Sequence, residues 1–211
     1  MKDVDTLIAS LAQEATPIKP AAHPFVLFAQ WMGGATAYVA VTLLFSGLRP
    51  DLLTRLHSPL YLLELILLLS IIATASLSAA LLVFPDMHQK RRMAFSPALM
   101  LALLAALVFV SWQADSPPSP PPEHSIECTL YIAFLSLLPA AWMFYSMRKF
   151  ASTHHYLAGS IALLASFSMG ALSLRLYEQT DSILHVMQWH YLPMIAVSLV
   201  GLWLGKTLLK W

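Results

Sequence analysis

The stretch LYLLELILLLSIIATASLSAALLVF, Leu60 to Phe84, decides the fold. It is apolar throughout, apart from small hydroxyl residues and one ionisable side chain, Glu64. A bilayer hydrocarbon core of about 30 Å takes roughly 20 such residues as one helix. Five further runs have the same character: Phe25 to Gly47, Ala94 to Trp112, Ile126 to Met147, Tyr156 to Tyr177 with Arg175 near its end, and a last one from Leu184 or Leu192 to Leu209, polar in its first half. Turn signals fall between them, at Arg49-Pro50-Asp51, Pro85-Asp86 and the Pro117 to Pro122 stretch. The expected fold class is therefore all-α: a polytopic membrane protein with a six-transmembrane-helix bundle over residues 25–211, preceded by a tail over residues 1–24.

Composition agrees. Hydrophobic residues make up 58% of the 211 and charged residues 11%, against about 25% charged in a soluble domain; mean hydropathy is +0.68. A formal net charge of +1 offers no reason to expect direct binding of nucleic acid. The single cysteine, Cys128, excludes an intramolecular disulfide. Residues 1–19 lack the basic start, apolar core and small-residue cleavage site of a signal peptide, so the first helix is expected to remain in the mature protein.

Lys and Arg set the orientation, because basic flanks stay cytoplasmic. With the N-terminus inside, Lys2, Lys19, Lys90, Arg91, Arg92, Arg148, Lys149, Lys206 and Lys210 face the cytoplasm, and only Arg49, Arg55 and Arg175 lie on the other side: nine against three. Six crossings return the C-terminus to the cytoplasm. All loops are short, so function is expected in the bundle, at the outer loops or in the tail. Lys90-Arg91-Arg92 reads as a topology anchor meeting anionic lipid, and Trp31, Trp142, Trp189, Trp203 and Trp211 as interface or packing residues.

In the tail, Val4, Leu7, Ile8 and Leu11 recur at helical spacing, with Asp3, Asp5, Gln13 and Glu14 mostly off that stripe; Pro17 and Pro20 end the pattern. A helix lying on the membrane surface is one reading. Such helices usually carry Lys and Arg, whereas acids are repelled by anionic headgroups, which favours a helix that docks its apolar face into a partner's groove.

Within the bundle, Glu64 and Arg175 sit near the outer surface, where charges are costly unless paired or hydrated; the two can pair if their helices are neighbours. The outer loops hold His124, Glu127, Cys128, Glu178, Asp181, His185 and His190. These are metal-ligand types without zinc-motif spacing, so His124, Cys128, His185 and His190 are candidate ligands and a polar rim is the alternative. Small residues mark close helix packing: Ser70, Thr74 and Ser78; Ala162, Ser166 and Gly170; and the Gly201, Gly205 pair, a GxxxG that serves either a homodimer or packing within the bundle. There is no nucleotide loop, nucleophile triad or glycine-rich phosphate cradle, so an enzyme is not expected.

Arg49-Pro50-Asp51-Leu52 after the first helix, Glu127-Cys128 opening the fourth with Pro139 inside it, Leu176-Tyr177 closing the fifth, then Asp181, Trp189-His190 and Gly201 to Gly205 leading into Leu208-Leu209-Lys210-Trp211 form a pattern that covers the whole chain. It resembles the NrsF family of bacterial inner-membrane anti-sigma factors, negative regulators of sigma F. The resemblance implies an extracytoplasmic-function sigma factor as partner, held at the bilayer by the cytoplasmic tail and released by an outer-face signal, with no cofactor. On that basis Val4, Leu7, Ile8 and Leu11 are the expected partner-binding residues, by position and spacing. Glu127, Cys128, Glu178, Asp181, Trp189 and His190 are the expected signal-sensing set. The family pattern has a second cysteine just after the fifth helix, where this chain has Glu178. Three options stay open: Cys128 pairs across a dimer, Cys128 binds a metal with Glu127, Glu178 or a nearby His, or this member senses something else altogether. A small transporter or channel, and a metal- or haem-binding membrane protein, are the alternative functions.

Overall fold

A computed structural model describes residues 2–14, 23–84, 91–114, 126–150, 152 and 154–210. Those residues are helical almost throughout. In chain order the elements are α1 (Lys2–Glu14), α2 (Pro24–Ser46), α3 (Leu52–Leu56), α4 (Pro59–Leu82), α5 (Arg91–Ala94), α6 (Ser96–Ala114), α7 (Ile126–Met147), α8 (His155–Tyr177), α9 (Ile183–Val186), a π-helical turn (Met187–Tyr191) and α10 (Leu192–Leu208). Six helical stretches are long and apolar enough to cross a bilayer: α2, α4, α6, α7, α8 and the continuous run Ile183–Leu208. The last of these joins α9, the π turn and α10, so the polar residues from Leu184 to His190 belong to the sixth span. The third span starts at Ser96 rather than Ala94. The chain breaks at Phe95 between α5 and α6, and Pro97, which has no N–H to donate, lies in the first turn of the new helix.

The spans alternate in direction. One end of the bundle, the near end, therefore holds His23, Phe84, Phe150 and Leu209; the far end holds Arg49, Ile126 and Glu178. At the centre is α8, which packs on α10, α4, α7 and α2. Its inward residues are small, and this permits close approach. A Cβ on Gly159 would lie 2.5 Å from the Gly201 carbonyl oxygen and 2.5 Å from the Gly205 Cα, and one on Gly170 would lie 2.7 Å from the Ile132 carbonyl oxygen. The GxxxG of α10 is thus spent on α8 within the chain. Ala162 and Ser166 line the same helix and are fully buried. On α4 the close-packed line is Ile71, Ala75 and Ala79. Ser70 and Thr74, expected there, turn partly outward and bond their own helix at Ile66 and Ser70, while Ser78 donates to the Ala94 carbonyl at 2.8 Å. Trp31 is a core residue, its indole N–H bonded to Ser146 Oγ at 2.9 Å. Large apolar side chains such as Phe45, Leu138, Leu199 and Trp203 point outward, as a lipid-facing surface requires.

Two prolines inside spans leave carbonyls without a helical donor, and in a membrane such groups need another partner. Pro139 brings no N–H to the Leu135 carbonyl, and Tyr38 of α2 donates its hydroxyl there at 2.6 Å. Pro193 brings none to the Trp189 carbonyl, and Thr129 of α7 donates there at 2.6 Å. Around Pro193 the helix also widens: the Leu192 N–H reaches back five residues to the Met187 carbonyl, which makes the π turn.

Candidate functional site

Buried polar groups concentrate at the far end. Glu64, just past the first turn of α4, and Arg175, in the last turn of α8, form a bidentate pair: Arg175 Nε donates to Glu64 Oε1 and Nη2 to Oε2, both at 2.8 Å. Tyr191, from the π turn, donates its hydroxyl to the same Glu64 oxygen, and Arg175 Nη1 donates to the Thr180 carbonyl at 3.0 Å. Such a pair offsets the cost of burying charge only when its remaining hydrogen-bonding capacity is filled, and here it is.

Gly47 ends α2 at a φ of +85°, a left-handed conformation that glycine adopts without strain. The chain then runs on so that the Arg49 N–H meets the Leu176 carbonyl at 3.0 Å. The Arg49 guanidinium is fully buried. It donates to Asp51 at 2.8 and 2.9 Å and to Asp181 at 3.1 and 3.0 Å. Arg55 closes the group from its exposed side, 2.6 Å from Asp181. Tyr61 lies between the two buried cations, its ring 5.4 Å from Arg49 Cζ and 5.0 Å from Arg175 Cζ, and its hydroxyl caps the Arg175 carbonyl at 2.9 Å. Three guanidiniums (Arg49, Arg55, Arg175) thus meet three carboxylates (Asp51, Glu64, Asp181). The hydrogen bonds from Arg49 hold the Asp51 carboxyl down at about 2. In return Asp51, and after it Asp181, hold the Arg49 proton more firmly than usual, against the opposing effect of burial.

Beside this network lies a second group built on the same elements. The side chains of Cys128 (first turn of α7), Glu178 (just after α8), His185 (α9) and His190 (π turn) place one sulfur, oxygen or nitrogen atom each within 4.8 Å of one another. The π turn brings the two histidines together. Residues five apart lie about 140° apart around an α-helix, but one extra residue in the turn returns them to one side, and the rings sit 5.2 Å apart, edge to face. Glu178 is central: its carboxylate is 3.6 Å from Cys128 Sγ, 3.5 Å from His185 Nε2 and 3.2 Å from His190 Nε2. Burial alone would raise its pKa, but the contacts with His190, Thr180 and His185 outweigh it and hold the carboxyl below its ordinary range.

This second group is not satisfied. Both histidines are fully buried, and none of their four ring nitrogens makes a hydrogen bond; nor does Glu178 Oε2. The 3.2 Å approach of His190 to Glu178 brings charge close but is not aligned as a hydrogen bond. A buried polar group left without a partner costs about 1–3 kcal/mol, so the cluster is expensive as it stands. One thiol, one carboxylate and two imidazoles are the donor set of a tetrahedral divalent transition-metal site.

The seven outer-loop residues singled out from the sequence therefore separate. Cys128, Glu178, His185 and His190 converge; Asp181 belongs to the arginine network; Glu127 is exposed on the first turn of α7; His124 lies outside the described residues. Trp189 is half-buried and takes part through its carbonyl. Val4, Leu7, Ile8 and Leu11 form an exposed apolar stripe on α1. Reading the sequence missed Arg49, Asp51, Arg55, Tyr61 and Tyr191 as one unit. The signal was there in Arg49-Pro50-Asp51, whose charges sit directly against the end of an apolar span.

A family model described as NrsF, negative regulator of sigma F, matches residues 11–211, nearly the whole chain. No curated protein and no solved structure matches.

Proposed function

This chain belongs to the NrsF family, negative regulators of sigma F, and from that premise we propose that it is a membrane-bound anti-sigma factor working by sequestration. It resides in the bacterial inner membrane with both termini cytoplasmic, as the nine-to-three distribution of basic residues favours. Its partner is an extracytoplasmic-function sigma factor, held so that it cannot join RNA polymerase. The chain itself does not touch nucleic acid, and the far end receives the releasing signal.

The observation that supports this reading is α1. Val4, Leu7, Ile8 and Leu11 are exposed along one side of a helix that carries three acids and one lysine. An apolar stripe of this kind fits a groove, and acidic flanks suit a basic, DNA-binding partner better than they suit anionic lipid. Release then follows from a shift between two packings of the bundle. The test is co-purification from the native host with and without residues 1–20. A sigma factor recovered only with the intact tail supports the reading; none in either sample, in unstressed cells, overturns it.

A further inference from the structure

We propose that Cys128, Glu178, His185 and His190 form a binding site for a borderline divalent transition-metal ion, with Zn2+ as the type. A tetrahedral ion with bonds of about 2.0–2.3 Å separates its ligand atoms by about 3.3–3.8 Å. The Glu178 carboxylate already meets that spacing within a tenth of an ångström, through Oε1 towards Cys128 and His185 at 3.6 and 3.5 Å and through Oε2 towards His190 at 3.2 Å. The remaining separations, all within 4.8 Å, close by small side-chain rotations. What points to a ligand, rather than to a polar corner of the core, is the pair of fully buried imidazoles without a hydrogen bond on either nitrogen. An ion would take one nitrogen from each ring and one oxygen of the Glu178 carboxylate, whose Oε2 is itself buried without a hydrogen bond. The donor set also selects. One carboxylate is too few for Ca2+ or Mg2+, which take mostly oxygen, and the mixture of sulfur and imidazole suits Zn2+, Co2+ or Cu2+.

Such an ion joins three separately positioned pieces of the far end: α7 through Cys128, the turn after α8 through Glu178, and the sixth span through His185 and His190. His190 adjoins Tyr191, which bonds Glu64, and Glu178 lies three residues before Asp181, which bonds Arg49. Occupancy therefore bears on the arginine network through the π turn and the 178–182 turn. This inference stands without the anti-sigma reading, because binding is read on the purified protein with no sigma factor present.

The test is titration of the full-length, metal-stripped protein in detergent with Co2+, followed by displacement with Zn2+. The expected result is one ion per chain, with a thiolate-to-cobalt charge-transfer band and the intense visible bands of tetrahedral cobalt. Cys128→Ser removes the charge-transfer band while keeping weaker binding, and the double variant His185→Leu/His190→Leu lowers affinity more than about tenfold. Asp181→Asn, which removes no ligand, keeps the charge-transfer and tetrahedral cobalt bands and changes affinity only through the turn it shares with Glu178. Excess Mg2+ does not compete. Folded wild-type protein that gives no tetrahedral cobalt spectrum overturns the proposal whatever the variants do, as does a spectrum that the double histidine variant retains.

Discussion

Two polar clusters share the far end of the bundle and draw on the same two turns, yet they are finished differently. In the arginine network every buried charge meets an opposite charge, and the hydroxyls of Tyr61 and Tyr191 fill the places left over. In the cysteine–histidine cluster the donors face one another across a small space, and four ring nitrogens bond nothing. Only Gln179 and Thr180, in one turn, separate Glu178, in the second, from Asp181, in the first. A polar network closed on itself gives rigidity, while one left open within the same frame is a place for a ligand.

The sharpest way to break this comparison is to open the closed cluster. Glu64→Leu strands the Arg175 charge and is expected to cost about 3–5 kcal/mol in reversible unfolding in mixed micelles, whereas Glu64→Leu/Arg175→Met loses less than the single change. A single variant as stable as the wild type would show the network to be slack. The open cluster should respond in the opposite way. Without metal, His185→Leu/His190→Leu is neutral or slightly stabilising, because it removes polar groups that have no partner. With Zn2+ at a hundred times the wild-type Kd, the wild type gains about 2.7 kcal/mol and the double variant, bound more than about tenfold more weakly, gains less than about 1.4 kcal/mol, which a parallel thermal scan of the two proteins checks.

Smaller effects locate the boundary between the clusters. Thr129→Val removes the hydroxyl that serves the Trp189 carbonyl; the expected cost is about 1–3 kcal/mol, with a weaker cobalt spectrum because the π turn holds His190. An unchanged spectrum would separate the turn from the site. The smallest effect is with pH. Asp51 has its folded pKa lowered from 3.8 to about 2, so its stabilising contribution is fully present above about pH 4 and is lost as pH falls through 2. Stability of the wild type relative to Asp51→Asn should therefore be constant from pH 7 down to about 4 and shrink as pH falls through about 2; a difference that stays flat over that whole range would remove Asp51 from the network.

How much of this was legible in advance depends on the kind of residue. Hydropathy shows the six spans because the bilayer demands about 20 apolar residues wherever the chain crosses. It misplaces one start, at Ala94, where Phe95 breaks the helix, and leaves the start of the last span open between Leu184 and Leu192, where the π turn carries the helix through polar residues. The small residues of α8 and the GxxxG of α10 are visible as close-packing motifs, but which helix they meet is not. The cluster of Cys, His and acids is visible as composition. Its division into a neutral network and a ligand set is not, because the side chains at Asp181 and Glu178 are chemically alike and differ only in which way their turn points them.

By itself, then, the sequence determined an all-helical chain with six spans long and apolar enough to cross a membrane, a basic bias favouring one orientation, an acidic amphipathic tail and a polar far end. These are properties of composition and period, and each acts locally along the chain. Only the tertiary structure decided that Arg49 is buried between Asp51 and Asp181, that Glu64 meets Arg175, and that Cys128, Glu178, His185 and His190 face one another. Those contacts join residues as far apart as 132 positions. They depend on the glycine seam that seats α10 against α8 and on a π turn beside Pro193, features that exist only once the helices are packed.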